Sequence, residues 1–111
     1  MLNKFKYLFY KNRCYCEAEI NKQQLEKMLQ KGAILLDVRS PQEYEEGHLE
    51  KAISLPEYEI KEQANMILQD KTQEIIVYCT TGYRSQKAQK KLQKLGYEKV
   101  YNLCKGLENY E

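Results

Sequence analysis

The stretch Ile75-Ile76-Val77-Tyr78-Cys79-Thr80-Thr81-Gly82-Tyr83-Arg84-Ser85 decides the reading of this chain. Four β-branched or aromatic residues run straight into a cysteine, the pattern of a strand buried on both faces of a parallel sheet. After a short loop with one glycine, Ala88, Leu92 and Leu95 recur at i, i+4 and i+7, one face of a helix. Cys79 is therefore expected where a strand ends and a loop leads into a helix. Loop N–H groups turned inward, together with the positive end of that helix, favour negative charge on a group in the bowl. A thiolate is such a group, and it is the reactive form of cysteine. Gly82 gives the loop its backbone freedom, and Arg84 adds a fixed cation with several donors. Thr80, Thr81, Gly82, Tyr83 and Ser85 are expected to contribute mainly backbone N–H groups, with Tyr83 walling the entrance.

Outward from this stretch, strands and helices alternate. Residues 16–20 read as an edge strand. Asn21 with Gln24 makes a capping box for a helix that buries Leu25, Met28 and Leu29 and stops at Gly32. Ala33 to Leu36 is a strand closed by Asp37. Ser40-Pro41 opens a helical turn toward Gly47, and Ala52 to Leu55 is a third strand. Ile60, Ala64, Ile67 and Leu68 mark an amphipathic helix within residues 58–70. Gly96 ends the helix that follows Cys79, Val100 to Leu103 is the last strand, and Gly106 to Tyr110 is one more helical turn. Alternation of this kind means an α/β fold of three layers, with helices on both faces of a mostly parallel sheet of about five strands. Ligands of such sheets bind outside the carboxyl ends of the strands, where Asp37, Cys79 and Cys104 all fall.

Composition sets the outer bounds. The 111 residues are enough for one small domain, 42% hydrophobic and 31% charged. A net charge of +2 gives no reason by itself to expect nucleic-acid binding. No apolar run is long enough to span a bilayer. Residues 1–15 form a basic, aromatic arm, read as packed on a domain covering 16–111. A membrane-surface helix is the less favoured reading of that arm. Without a signal-peptide core, and with few cysteines, a cytoplasmic, reduced protein is expected. Cys14 and Cys16 make a poor zinc signal without a histidine nearby, so no metal and no cofactor is expected.

Two blocks together resemble the rhodanese-type sulfurtransferases. One is Cys79-x-x-x-x-Arg84-Ser85 with Gly82 inside. The other runs from Asp37-Val38-Arg39 through Glu43-Tyr44 and Gly47-His48-Leu49 to Ala52. The resemblance covers roughly residues 18–110. It implies a rhodanese-like fold and a persulfide on Cys79, loaded from a small sulfane-sulfur donor such as thiosulfate. The sulfur then passes to cyanide, a thiol or a protein acceptor, with Arg84 and the loop amides holding the donor's charge. For Asp37, Arg39 and Glu43 the resemblance implies a structural network shaping the end of the second strand. His48, the one histidine, reads as a hydrogen-bonded scaffold residue. The family's sheet order places the last strand beside that of Cys79, which makes Cys104 a candidate resolving thiol. Lys51 and Lys105 stand where the family often has glycine. Lys87, Lys90, Lys91 and Lys94 read as a solvated helix face.

Two other activities compete. A cysteine-dependent phosphatase or arsenate reductase uses the same scaffold with a loop one residue longer. Four residues separate Cys79 from Arg84 here, a cradle expected to suit sulfur better than tetrahedral phosphate. A non-catalytic sulfur-carrier or binding module is the other alternative, against which the intact Cys79, Gly82 and Arg84 argue.

Overall fold

The computed structural model describes residues 19–103 and 106–109. The N-terminal arm with Cys14 and Cys16, and the candidate resolving thiol Cys104, lie outside the described residues. Five strands form one sheet: β1 (Glu19–Ile20), β2 (Ile34–Asp37), β3 (Ile53–Ser54), β4 (Glu74–Tyr78) and β5 (Lys99–Leu103). Their spatial order is β1-β5-β4-β2-β3, and every neighbouring pair is parallel. The helices are α1 (Lys22–Gln30), α2 (Pro41–Glu46), α3 (Ile60–Ile67) and α4 (Tyr83–Lys94), with 3₁₀ turns at Glu57–Glu59 and Gly106–Asn109.

Period-two alternation along β4 splits the interior in two. Ile75, Val77 and Cys79 join Ile60, Ala64 and Leu68 of the α3 region and Ala88 and Leu92 of α4. Ile76 and Tyr78 face the opposite side, with Leu25 of α1, Leu35, Ala52 and Leu103; Tyr44 of α2 packs against that cluster. These are the three layers expected from the alternating pattern. Leu92 and Leu25 are fully buried, and each contributes about 1.5–3 kcal/mol of apolar burial.

Local chemistry fixes the helix ends. Asn21 accepts from the Gln24 N–H (2.9 Å), and the Gln24 side chain returns a bond to the Asn21 N–H (2.9 Å). At the far end of α1 the Gly32 N–H bonds to Leu29 O and the Ala33 N–H to Met28 O, both 3.0 Å, a paired closure that needs Gly32 at φ +99°. Ser40 caps α2 in the same reciprocal way with Glu43, and Pro41 takes the first helical position. The helix over residues 58–70 is shorter than its periodicity suggests. Residues 57–59 wind as a 3₁₀ turn, and Leu68 has left the helix with extended backbone (ψ 90°).

The strand order places the site. The chain leaves β2 through α2 toward β3 on one side, and leaves β4 through α4 toward β5 on the other. A crevice forms at the carboxyl edge where neighbouring strands send their connections in opposite directions. Here that point lies between Asp37, the last residue of β2, and Tyr78, the last of β4, which face each other in register.

Lys51 is the one non-glycine residue with positive φ among the described residues, at +73°. The resemblance to the rhodanese family implies that glycine is common at this position. A left-handed conformation costs a residue with a Cβ about 1–2 kcal/mol, while glycine there brings an extra entropic cost of about 0.5–1 kcal/mol. Lys51→Gly should raise stability by up to about 1 kcal/mol, visible as a higher urea midpoint with an unchanged slope. A lower midpoint would show that the Lys51 side chain has contacts worth more than the strain.

Candidate active site

Cys79 follows β4 directly and is 1% exposed. Two backbone donors converge on its sulfur, the N–H of Gly82 (3.1 Å) and the N–H of Ser85 (3.3 Å). Its S–H donates to Ser85 Oγ (3.5 Å), which in turn donates to Gly82 O (3.1 Å). Gly82 makes this possible. At φ +101° it turns the chain so sharply that α4 begins at Tyr83. The sequence reading left Tyr83, Arg84 and Ser85 in the loop; they form the first turn of the helix. Ser85 thus offers one of the first-turn N–H groups that have no partner within the helix, and the sulfur accepts it. Thr80 is half-buried, Thr81 is exposed and Tyr83 is 56% exposed.

The loop is also held from behind. The Leu107 N–H donates to Cys79 O (3.0 Å). Gly106 lies so close that an added Cβ would collide with the carbonyl oxygens of Cys79 and Thr80. Nothing in the sequence near Cys79 announces this contact. The glycine itself, just after the last strand, is its one visible trace.

Arg84 does not stand free at the rim. Its Nη1 and Nη2 donate to the two carboxylate oxygens of Glu43 at 2.8 and 3.1 Å. Glu43 is fixed in turn by the Ser40 N–H (3.0 Å) and Ser40 Oγ (3.0 Å). The bond to Arg84, followed by the Ser40 N–H bond, lowers the Glu43 pKa to about 2. Arg84 is raised, first by Glu43, with a smaller contribution from Cys79. The pairing spans 41 positions in sequence. The Ser40-x-x-Glu43 capping pattern was its available signal, since that pattern fixes the carboxylate at a helix start.

Asp37 and Arg39 form a separate unit. Asp37 is fully buried and accepts from the Arg39 N–H (3.0 Å), Arg39 Nε (3.0 Å), Arg39 Nη2 (2.7 Å) and the Tyr78 hydroxyl (2.7 Å). Arg39 Nη2 continues to Gly47 O (2.6 Å), and the Tyr78 hydroxyl accepts the Leu49 N–H (3.0 Å). The bond to Asp37 pushes the Arg39 pKa up; burial does most to push that of Tyr78 up. The Tyr78 hydroxyl is a member of this network that sequence reasoning missed. His48 is exposed, stacks on the Tyr44 ring (3.7 Å between centroids) and donates through Nδ1 to Tyr44 O (2.7 Å). On α4, Lys91 pairs with Glu57 (2.7 Å) and Lys87 lies over the Tyr83 ring (5.4 Å). Among the described residues no group of three His, Cys, Asp or Glu side chains could hold a metal ion. None of their helices is long and apolar enough to cross a membrane.

With this geometry in view, comparison with known proteins assigns the class. A family model described as Rhodanese-like domain matches residues 21–111, and the chain belongs to that family. The tRNA uridine(34) hydroxylase of Erwinia tasmaniensis is 37% identical over 82 residues, which cover 70% of this chain and 23% of that protein. The protein of the same name from Escherichia fergusonii is 35% identical with the same coverage. The chain therefore spans less than a quarter of the length of these curated relatives. Among solved structures, an Escherichia coli rhodanese determined with anions is 33% identical, with TM-score 0.64, covering 70% of this chain and 91% of its own. A rhodanese-like domain from Anabaena sp. is 28% identical at TM-score 0.76, covering 86% of this chain and 74% of that one. The human single-domain sulfurtransferase TSTD1 shares the fold, at TM-score 0.74 and 23% identity over 86% of this chain and 96% of its own.

Two outcomes follow from the networks. Tyr78→Phe removes a donor from the buried Asp37 carboxylate and an acceptor from the Leu49 N–H, and should cost about 1–3 kcal/mol of stability. Urea unfolding checks this, and a midpoint equal to wild type would show that the hydroxyl is dispensable. Glu43 has a folded pKa of about 2 against an ordinary 4.5. Its contribution is therefore complete above pH 4.5 and fades as pH falls toward 2. The melting-temperature gap between wild type and Glu43→Gln should close over that window. A gap independent of pH would rule out the ion pair as its origin.

Proposed function

We propose that this domain is a sulfurtransferase that carries sulfane sulfur as a persulfide on Cys79. The observation that carries the reading is the convergence of the Gly82 and Ser85 N–H groups on the Cys79 sulfur. Donors of this kind stabilise negative charge on sulfur without a metal or an organic cofactor. The Cys79 thiolate attacks the outer sulfur of a donor such as thiosulfate. The donor's S–S bond breaks, sulfite leaves with the bonding pair, and Cys79 becomes a persulfide anion. The first-turn N–H groups of Tyr83 and Arg84, which have no acceptor within the helix, supply further donors for the terminal sulfur. An acceptor such as cyanide or a thiol then attacks that sulfur, and the Cys79 thiolate is restored. The backbone turn at Gly82 supports sulfur over phosphate. It starts α4 four residues after Cys79, a short loop.

The relatives favour a second reading. A domain similar to this one lies within relatives named tRNA uridine(34) hydroxylase. In that reading the domain serves the same kind of modification, and incubation with tRNA changes the mass of a uridine. Cys79 would still carry the chemistry.

The test is thiosulfate-to-cyanide sulfur transfer by wild type beside Cys79→Ser, with intact mass recorded after the donor. Turnover and a gain of one sulfur atom are expected in the wild type and neither in the variant. The mass gain without turnover would mean a sulfur carrier with a protein acceptor. Absence of both with every donor would overturn the persulfide reading.

A further inference from the structure

Among the described residues, both arginines near Cys79 are paired with carboxylates. The segment from Cys79 to Ser85 contains one cation, Arg84, and both terminal nitrogens of its guanidinium are spent on Glu43. The other arginine nearby, Arg39, is committed to the buried Asp37 (2.7 Å). Two guanidinium groups thus face two carboxylates. Lys87 lies one turn further along α4, over the Tyr83 ring. Among the described residues, what remains at the loop itself to attract an anion is a set of backbone dipoles.

Dipoles and one neutralised cation suit a single negative charge. A dianion brings a second charge close to the Glu43 carboxylate. It must either be repelled or displace a carboxylate that four bonds, two from Ser40 and two from Arg84, hold in place. We infer that Glu43 sets the charge of the donor: by occupying Arg84 it makes the Cys79 site select monoanionic sulfane donors, alkyl hydropersulfides and thiosulfonates, over dianionic thiosulfate. This inference rests on the persulfide reading of Cys79, and it makes Glu43 a positioning residue that acts through Arg84.

The chemistry offers a matched pair of probes. Thiosulfate and methanethiosulfonate both present an outer sulfur on an oxidised sulfur centre. Attack by the Cys79 thiolate breaks the same S–S bond in each. Sulfite leaves from the first and methanesulfinate from the second, each with the bonding pair, and the same Cys79 persulfide anion forms. The donors differ by one negative charge and by a methyl group in place of one oxygen.

The variant is Glu43→Gln, because glutamine is the same length and its carbonyl oxygen still accepts from the Ser40 N–H. The cap of α2 is preserved while the charge is removed. The measurement is kcat/KM for each donor with a common acceptor, together with the intact mass of the protein after each donor alone. Wild type should prefer methanethiosulfonate. In Glu43→Gln the ratio of thiosulfate to methanethiosulfonate should rise severalfold, up to about fivefold, the scale of one partly exposed charge interaction, and mainly through KM for thiosulfate. Glu43→Asp, which keeps the charge, should stay near the wild-type ratio. A merely structural Glu43 would lower both donors equally and leave the ratio unchanged, and that result overturns the inference while Cys79 still gains sulfur. A wild-type preference for thiosulfate also overturns it. No sulfur on Cys79 from either donor overturns the persulfide reading itself, and the inference with it.

Discussion

A carboxylate buried without solvent must be satisfied, and the satisfaction of Asp37 organises the carboxyl edge of this sheet. Its partners come from its own loop and from the neighbouring strand. Those partners reach further, Arg39 to Gly47 O and the Tyr78 hydroxyl to the Leu49 N–H. The segment that leaves α2 is thereby pinned at two points. α2 itself is held over the crevice, and its capping residue Glu43 is delivered to Arg84 at the start of α4. The two helices that leave adjacent strands on opposite faces are tied across the gap between them. Removing one partner from a buried ionic network leaves an uncompensated charge, which costs far more than the network is worth as a whole. The site's geometry is therefore secured by a group that does not touch the sulfur.

Much of this was legible in the residues. Asn21 with Gln24, Gly32 and Gly96 marked helix ends by known backbone chemistry, and the run from Ile75 to Tyr78 marked the central strand. These are local signals, set within four or five residues. The start of α4 was read three residues late because apolar periodicity begins only at Ala88. The turn at Gly82 starts the helix by dihedral geometry, which leaves no periodic trace. The tie between Glu43 and Arg84 and the approach of Gly106 to the Cys79 carbonyl are long-range contacts. They follow from strand order. One sequence shows that both residues of such a pair exist and gives no measure of their separation.

Arg84 shows how this changes chemistry as well as structure. Read alone, an arginine at fixed spacing from a nucleophile is an anion site. Placed against Glu43, it becomes one half of an ion pair. Tyr83 and Lys87 are likewise neighbours through the helix rise, and Lys91 turns away to Glu57. The lysines of α4 are thus not a uniform face, although their spacing in sequence suggests one.

The alternation along β4 separates two tasks on a single strand. Cys79 shares its interior with α3 and α4, whereas Tyr78, one residue earlier, shares its interior with α1 and α2. The seat of Cys79 and the lock that shapes its surroundings are consequently built from different sets of apolar side chains. Drift in one set need not be answered in the other. A scaffold divided in this way can exchange the lining around Cys79 while the frame persists, and a change of chemistry need not begin with a change of fold.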